Sequence, residues 1–306
     1  MTTDRVRLHR VPEGDRAAAR SLQRRHEAGE LVRLARGVYT AASAWRDCSA
    51  TERHLVLARA VAPTVRPTAA FSHVTAAIAY GWPLVSAPPA RVHVTDGATR
   101  RTEHRAHVVR HAGEPETERP PGSFAAVRVT SRIRTALDLA TSLEPAVAAV
   151  AIDHAVRSGA IWIDDFVARL PTTPQRGSVR CRIVADALDP RHESAGESYT
   201  AVRMVELGLP RPVAQHEFRH PGGGVDRVDF WFAEMGVVVE FDGRQKYTDR
   251  AMLDGREPGD ALWQEKIRED RLRSLPEVRS LVRPTWWHLV DPERLRTLFR
   301  QHRVVF

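Results

Sequence analysis

The chain has 306 residues, and its 46 lysines and arginines against 38 acidic residues give a formal net charge of +8 at pH 7. Two cysteines, Cys48 and Cys181, are too few for a disulfide framework or a cysteine-rich zinc site. No apolar run approaches the ~18–20 residues of a transmembrane helix, and the N-terminus lacks a secretory apolar stretch. These features exclude secreted disulfide scaffolds and membrane proteins, and we expect a cytoplasmic protein of two or three domains with no membrane partner.

The positive charge is concentrated in the first third of the chain. Residues 1–100 contain 15 arginines and 8 acidic residues, which accounts for most of the net charge. Such an excess favours an anionic partner, and nucleic acid is the natural candidate. Arginine outnumbers lysine 44 to 2 in the whole chain, so a general bias toward arginine is the alternative explanation.

The first predicted elements are a helix and a short two-stranded wing. Residues 15–28 are expected to form a helix that begins at the N-cap residue Asp15 and stops at Gly29. Residues 29–39 then alternate apolar side chains with arginines, which predicts two short strands. A helix followed by a basic wing is typical of proteins that read DNA, and a small packing motif with a solvated arginine face is the alternative. The arginines expected to contact DNA are Arg20, Arg24, Arg25, Arg33 and Arg36.

This segment resembles the winged-helix start of the AbiEi family of antitoxins. The stretch Gly29-Glu-Leu-Val-Arg-Leu-Ala-Arg-Gly-Val-Tyr39 is similar to the G-x-L-x-R-L-x-R-G-V-Y pattern that ends the family's N-terminal domain. The resemblance covers residues 1–45 and implies a winged-helix-like DNA-binding region over residues 1–48. The chain departs from the family in having only residues 1–14 before the helix, which is short for the two helices that normally precede it.

Residues 49–190 are expected to form a mostly helical region with a strand interlude. Helices are predicted at 50–62, 72–80, 131–141, 145–158, 162–169 and 178–188, and strands near 91–95, 104–110 and 126–130. The stretch 127–139 is similar to the middle of AbiEi-type proteins, which implies an AbiEi-like α/β region. The histidines here are expected at the surface and not as metal ligands, because no acids or cysteines accompany them at ligand spacing. They are His73, His93, His104, His107 and His111.

After residue 190 the predicted order is helix, three-stranded meander, helix, strand and helix. The elements are expected at 194–207, 213–219, 226–232, 236–242, 261–274, 278–283 and 291–302. The crossover helix lets the last strand run parallel to a neighbour, which is the layout of a restriction-endonuclease-like core. The sequence therefore predicts an α+β multidomain protein whose third domain, of αβββαβ layout, spans residues 191–306.

The meander brings acidic residues together. A tight turn at 234–235 pairs Asp229 directly with Glu240, with Cβ atoms roughly 4.5–5.5 Å apart. Two carboxylates at that distance need a cation between them or a shared proton, and a divalent metal is the simplest answer. Asp242 lies on the face of Glu240 because strand side chains alternate. A three-residue loop would instead shift the register by one residue, and solvated acids on an edge strand are the alternative interpretation.

The C-terminal motifs, taken in order, resemble PD-(D/E)XK nucleases of the branch related to very-short-patch-repair endonuclease. The motifs are Val228-Asp229, Val237-Val-Val-Glu-Phe-Asp-Gly243, Glu265-Lys-Ile-Arg-Glu-Asp-Arg-Leu-Arg273 and Leu281-Val-Arg-Pro-Thr285. The resemblance implies that Asp229 and Glu240 hold Mg²⁺, for which Mn²⁺ can substitute, and that they act in catalysis. It also implies that Glu197 completes the metal site.

The lysine of this family's motif is replaced here. It normally stands two residues after the glutamate, where this chain has Asp242, so Asp242 is expected to add a metal ligand. The catalytic lysine is then Lys246 or Lys266, the only two lysines of the chain. The alternatives are that catalysis has been lost and that Lys266 forms a surface pair with Asp270 worth ~0.3–0.5 kcal/mol.

These observations predict a Mg²⁺-dependent DNA endonuclease or nickase that its basic N-terminal region positions on DNA, in defence or repair. The alternative is a non-catalytic DNA-binding regulator of the AbiEi antitoxin type, in which the C-terminal domain forms a homodimer or only binds. RNA as the substrate stays open on charge alone.

Overall fold

The chain folds into helices and mixed sheets in two compact units. The computed structural model describes residues 5–120, 128–220, 223–243 and 258–304, with only the backbone described for 258–262. This part contains twelve α-helices and three β-sheets, which confirms the predicted α+β multidomain class. Unit 1 comprises Met1–Leu143 and Asp164–Arg169, and unit 2 comprises Glu144–Ile163 and Leu170–Phe306. The division at residues 48 and 190 stays a prediction. Within the described ranges, no helix has the length and apolar character needed to cross a membrane.

Unit 1 begins with a helix and a three-stranded sheet. The elements are β1 (His9–Arg10), α1 (Arg16–Glu27), β2 (Leu31–Ala35) and β3 (Val38–Ala41), and the strands lie in the order β1-β3-β2 with antiparallel pairing. The Asp15 carboxylate caps α1 by accepting a hydrogen bond from the Ala18 N–H at 2.9 Å. The chain leaves the helix at Gly29, whose φ of +75° favours glycine. The predicted helix and two-stranded hairpin are therefore confirmed.

The rest of unit 1 contains a six-stranded mixed sheet. Its elements are α2 (Ala42–Arg46), α3 (Ala50–Val61), β4 (Ala69–Phe71), α4 (His73–Ala79), β5 (Val92–Asp96), β6 (Glu103–His104), β7 (Val108–Ala112), β8 (Thr117–Glu118), β9 (Val129–Thr130) and α5 (Arg132–Ser142). The strand order is β6-β7-β5-β4-β9-β8. Only three of these strands were expected from the sequence, because β4, β6 and β8 have two or three residues and are too short to show alternation.

Three histidines of this sheet region are buried or half-buried. His93 on β5 and His111 on β7 point to the same side, since the parallel register pairs His93 with Val109 and Thr95 with His111. His73, the first residue of α4, is buried, and the other two are half-buried. The expectation of a surface position is thus wrong for His73, and His93 and His111 are only half-buried, because sheet pairing and the helix bring together residues that are far apart in sequence.

Unit 2 combines helices with a four-stranded sheet. The elements are α6 (Pro145–Arg157), α8 (Ser178–Ala187), α9 (Ala195–Glu206), β10 (Val213–Arg219), β11 (Val225–Phe232), β12 (Val237–Val239), α10 (Pro258–Ser274), β13 (Ser280–Val282), α11 (Trp286–Leu289) and α12 (Pro292–Gln301). Helix α7 (Ile163–Ala168) follows α6 in the chain, but most of its residues belong to unit 1. The strands lie in the order β10-β11-β12-β13, and only β12 and β13 pair in parallel. The elements predicted after residue 190 are all present in the predicted order, and the structure adds the short helix α11 between the last strand and the last helix.

The β11–β12 hairpin has the register that the sequence predicted. Phe230 pairs with Val239 and Phe232 with Val237, which places the turn at 234–235. Gly236 closes this turn at a φ of +65°, and a Cβ there would lie 2.6 Å from the Glu277 carbonyl oxygen. The sheet packs on α10 through a cluster of buried apolar side chains. The cluster consists of Phe218, Val228, Trp231, Val238, Leu272, Val278 and Leu281.

Candidate functional site

The predicted acidic residues of unit 2 meet at one end of the sheet. Asp229 is the fifth of the eight residues of β11, and Glu240 directly follows β12, so the hairpin register extended by one pair sets them opposite each other. Asp229 Oδ2 accepts a hydrogen bond from the Phe241 N–H at 2.8 Å. The hydrogen bonding between β12 and β13 continues past the end of β12, since the Glu240 N–H donates to the Val282 carbonyl at 3.0 Å. The juxtaposition of Asp229 and Glu240 is as predicted.

Glu240 is held by arginines. Its carboxylate accepts hydrogen bonds from both terminal nitrogens of Arg268, and from Arg283 Nη2 at 3.3 Å. Glu240 is only 9% exposed, so this contact is largely screened from water. Both arginines also reach Glu265, at 3.3 Å from Arg268 and 2.5 Å from Arg283. Although burial opposes it, the hydrogen bonds and negative charge of Glu240 raise the pKa of Arg268.

This arrangement does not fit a magnesium ion at Glu240. Mg²⁺ requires oxygen ligands at about 2.0–2.1 Å in near-octahedral geometry. Here two guanidinium groups already supply positive charge to the Glu240 carboxylate. The sharing of Mg²⁺ by Asp229 and Glu240 stays a prediction, and it requires a rearrangement of these arginines.

Glu197 belongs to the same end of the sheet through Gln215. The β10–β11 register leaves Gln215 opposite Asp229, and the Gln215 side-chain amide donates to Glu197 Oε2 at 2.8 Å. The Glu193 N–H donates to the same oxygen at 2.9 Å, and Glu197 is 5% exposed. A Cβ on Gly196 would lie 2.0 Å from the Phe241 ring, so glycine lets that ring pack on the first turn of α9. Glu197 is therefore a buried acid that ties α9 to β10.

The remaining predicted residues contribute less to this site. Asp242 is half-buried, and its backbone N–H donates to the Pro284 carbonyl at 2.9 Å. Lys246 lies outside the described residues. Lys266 is exposed on α10, with Nζ 6.0 Å from the centroid of the Trp263 ring. Among the residues that the structure describes, Lys266 forms no ion pair with Asp270 or with the acids of the site.

Sequence reasoning missed Arg268 and Arg283. Both lie inside the motifs that carry the family resemblance, but only the acids and lysines of those motifs were assigned a role. The signal was present: Arg283 directly follows β13, which is the parallel neighbour of β12. A basic residue beside two facing carboxylates is the alternative to a metal, and arginine is common in this chain.

A second candidate site lies in unit 1, where α1 and the β2–β3 hairpin enclose an open concavity. Four of the five arginines predicted to bind DNA line it together with Gln23, Gly37 and Tyr39; these are Arg20, Arg24, Arg33 and Arg36. All four are exposed, and none of their guanidinium groups forms an ion pair or hydrogen bond within the described part of the chain. Arg25, the fifth, instead pairs with Glu30 at 2.9 Å. The concavity therefore presents four uncompensated positive charges.

Comparisons with known proteins leave the family open. No family model matches the chain, and no solved structure gives a significant match. Two uncharacterized proteins of Mycobacterium tuberculosis, from strains CDC 1551 / Oshkosh and ATCC 25618 / H37Rv, are each 29% identical over 171 residues. The matched segment covers 55% of this chain and 60% of the length of each of these relatives.

Proposed function

We propose that the protein binds DNA through the concave arginine surface formed by Arg20, Arg24, Arg33 and Arg36. The observation that carries this proposal is the convergence of four exposed, uncompensated guanidinium groups on one concavity between a helix and a hairpin. Four guanidinium groups held close together without acidic partners repel one another, and the negative phosphates of DNA would offset that repulsion. Guanidinium groups also bind phosphate oxygens in pairs of parallel hydrogen bonds, which makes arginine well suited to this contact.

The shape of the surface favours duplex DNA over a small anion. The concavity is open and is bordered on one side by α1 and on the other by β2 and β3, the order of elements in a winged helix. Gln23 and Tyr39 lie among the arginines, and Tyr39 Oη donates to Gln23 Oε1 at 3.2 Å. Gln23 is half-buried, so its amide can turn toward bases or sugars once phosphates fix the register, whereas Tyr39 is buried beneath it. DNA as ligand also implies a cytoplasmic protein.

The salt dependence of DNA affinity tests the proposal. Each phosphate contact contributes a slope of about −0.9 to log K against log salt, so four contacts weaken binding roughly 150-fold between 50 and 200 mM salt. In the variant with all four arginines changed to alanine, most of that slope and affinity should disappear. Arg25→Ala is the matched control, because Arg25 lies on the same helix but is paired with Glu30. Equal loss in both variants, or no loss in the quadruple variant, overturns the proposal.

A metal-dependent nuclease in unit 2 is the second candidate function. The order α9-β10-β11-β12-α10-β13 and the hairpin register that opposes Asp229 and Glu240 favour it. The pairing of Glu240 with Arg268 and Arg283 speaks against it. We therefore rank DNA binding first and treat cleavage as a separate question for experiment.

Supercoiled plasmid separates the two functions. DNA binding without catalysis predicts retardation in EDTA and no nicking when Mg²⁺ or Mn²⁺ is added. Nicking that needs the metal and is lost in Asp229→Ala and in Glu240→Ala would establish the nuclease instead. Glu234→Ala serves as the control, since Glu234 is an exposed acid at the β11–β12 turn and was not assigned to the site.

A further inference from the structure

Three histidines in unit 1 form a cluster that the DNA-binding surface does not involve. They come from the start of α4 and from the neighbouring strands β5 and β7, and they are His73, His93 and His111. One ring nitrogen from each lies within 4.8 Å of the other two. A concentration of three imidazoles inside a protein is a frequent arrangement for binding zinc and related ions.

The spacing of two of these nitrogens is close to that of metal ligands. His93 Nδ1 and His111 Nε2 lie 3.1 Å apart. Two nitrogens bound to one tetrahedral zinc at the usual bond length are separated by about 3.3 Å. An ion can therefore enter between these two rings with little change in their positions.

We propose that His73, His93 and His111 bind one divalent transition-metal ion of the zinc class, with a water molecule in the fourth position. Three protein ligands and an open fourth position match the known His₃ type of zinc site. The ring nitrogens must be neutral to bind the metal.

Asp138 supplies the partner that orients His73. Asp138 Oδ2 lies 3.5 Å from His73 Nδ1, and it is buried without a hydrogen-bond partner in the described residues. The Ser72 hydroxyl lies 2.9 Å from the same ring nitrogen. With Nδ1 facing these groups, Nε2 is left for the metal. A carboxylate behind a metal-binding histidine fixes its tautomer and raises its basicity.

The backbone of His73 also singles out this position. Its φ is +53°, in the left-handed region that side chains with a Cβ rarely adopt. Such conformations cost of order 1–3 kcal/mol and cluster at sites where a side chain must point in a given direction. Here the direction is toward His93 and His111, whose ring centroids lie 5.6 and 3.8 Å from that of His73.

Metal binding requires one rearrangement. The rings of His73 and His111 are stacked at an interplanar angle of 16°, so their lone pairs lie in nearly parallel planes and do not converge on one point. The stack must therefore open by a shift of the His111 ring, while His73 Nδ1 keeps its contacts with Ser72 and Asp138. The alternative is a histidine cluster that is complete without metal, held by the His93–His111 hydrogen bond and the stack.

Metal titration of the full-length chain without an affinity tag distinguishes the two. We expect one Zn²⁺ per chain by calorimetry in competition with a chelator, and a visible absorption band typical of four-coordinate geometry when Co²⁺ is used. His93→Gln and His111→Gln should each weaken binding by at least tenfold, and Asp138→Asn by about 10–100-fold through the supporting hydrogen bond. His104→Gln is the control, because His104 is exposed on the neighbouring β6.

The outcomes are decisive in both directions. A Co²⁺ spectrum that His104→Gln preserves and that Asp138→Asn weakens supports the site, even where a histidine variant folds poorly. Failure of the wild-type chain to retain Zn²⁺ or Co²⁺ after dialysis overturns it. Binding that the double variant His93→Gln/His111→Gln leaves unchanged does so as well.

Discussion

Replacing Arg268 by methionine tests whether Glu240 is a structural anchor. The side chains of Arg268 and Glu240 are 22% and 12% exposed, so their contact lies between a surface pair and a buried one. Exposed pairs contribute ~0.2–1 kcal/mol, whereas breaking a buried pair costs ~3–5 kcal/mol. Arg283 stays beside Glu240 in the variant and keeps part of the neutralisation. We therefore expect Arg268→Met to lower the free energy of unfolding of unit 2 by about 2 kcal/mol.

A double-mutant cycle in urea isolates the interaction. Arg268→Met, Glu240→Met and the double variant should be compared, and the double variant should be less destabilised than the sum of the single variants by about 1–2 kcal/mol. Lys266→Met is the control on the same helix; because Lys266 is exposed, the change should stay within about 0.5 kcal/mol.

Two results would refute this reasoning. Additive single changes, within ~0.3–0.5 kcal/mol, would mean that Glu240 and Arg268 are not coupled. Stabilisation of the wild-type chain by Mg²⁺, lost in Glu240→Met, would mean that the native state binds the metal there, since a ligand that binds only the folded state raises its stability.

Two further predictions concern pH and the hairpin turn. Burial lowers the pKa of three histidines of unit 1 to about 4, from an ordinary value near 6.5; they are His54, His93 and His111. Their contribution to stability is present above pH 6.5 and is lost as the pH falls toward 4, because the unfolded chain then binds more protons. Burial raises the pKa of Asp138 to about 6, which opposes this trend only in part. Urea unfolding across pH 4–7 should show a loss of several kcal/mol, and a flat profile would contradict it. Gly236→Ala should cost about 1–3 kcal/mol because its Cβ meets the Glu277 carbonyl, whereas Gly208→Ala, with open space around it, should cost less.

Local patterns allowed the sequence to predict much of the fold. The Asp15 cap, the glycine at 29 and the alternating residues after it define α1 and its hairpin without long-range information. The β11–β12 register was equally predictable, since the apolar stretches on both sides of a tight turn fix which residues can face each other. By contrast, β4 has three residues and is defined by its pairing with β5 and β9, which no local pattern reveals.

The candidate sites were predictable where they depended on one element and not where they joined several. The arginines of the concavity come from one helix and the hairpin that follows it, and four of the five predicted positions lie there. Arg25 differs because Glu30, five residues away, reaches it across the helix end. The histidine cluster instead joins residues 73, 93 and 111 through a parallel strand pair and a helix, so their spacing in sequence carries no ligand pattern.

The facing carboxylates of unit 2 show that a sequence can predict where positive charge is required without predicting which group supplies it. Facing carboxylates near the end of a hairpin require positive charge, and a metal ion and a guanidinium pair both supply it. In this chain Arg268 and Arg283 lie on α10 and after β13, the elements that border Glu240, so the charge comes from the protein itself. The histidine cluster differs: Arg134 pairs with Asp138 Oδ1 at 2.8 Å, but Asp138 Oδ2 has no hydrogen-bond partner among the described residues, and the three imidazoles have no cation between them. We therefore expect a metal ion at the histidines, whose ring nitrogens are available as ligands. We do not expect one at Glu240, whose carboxylate is already bonded to Arg268 and Arg283.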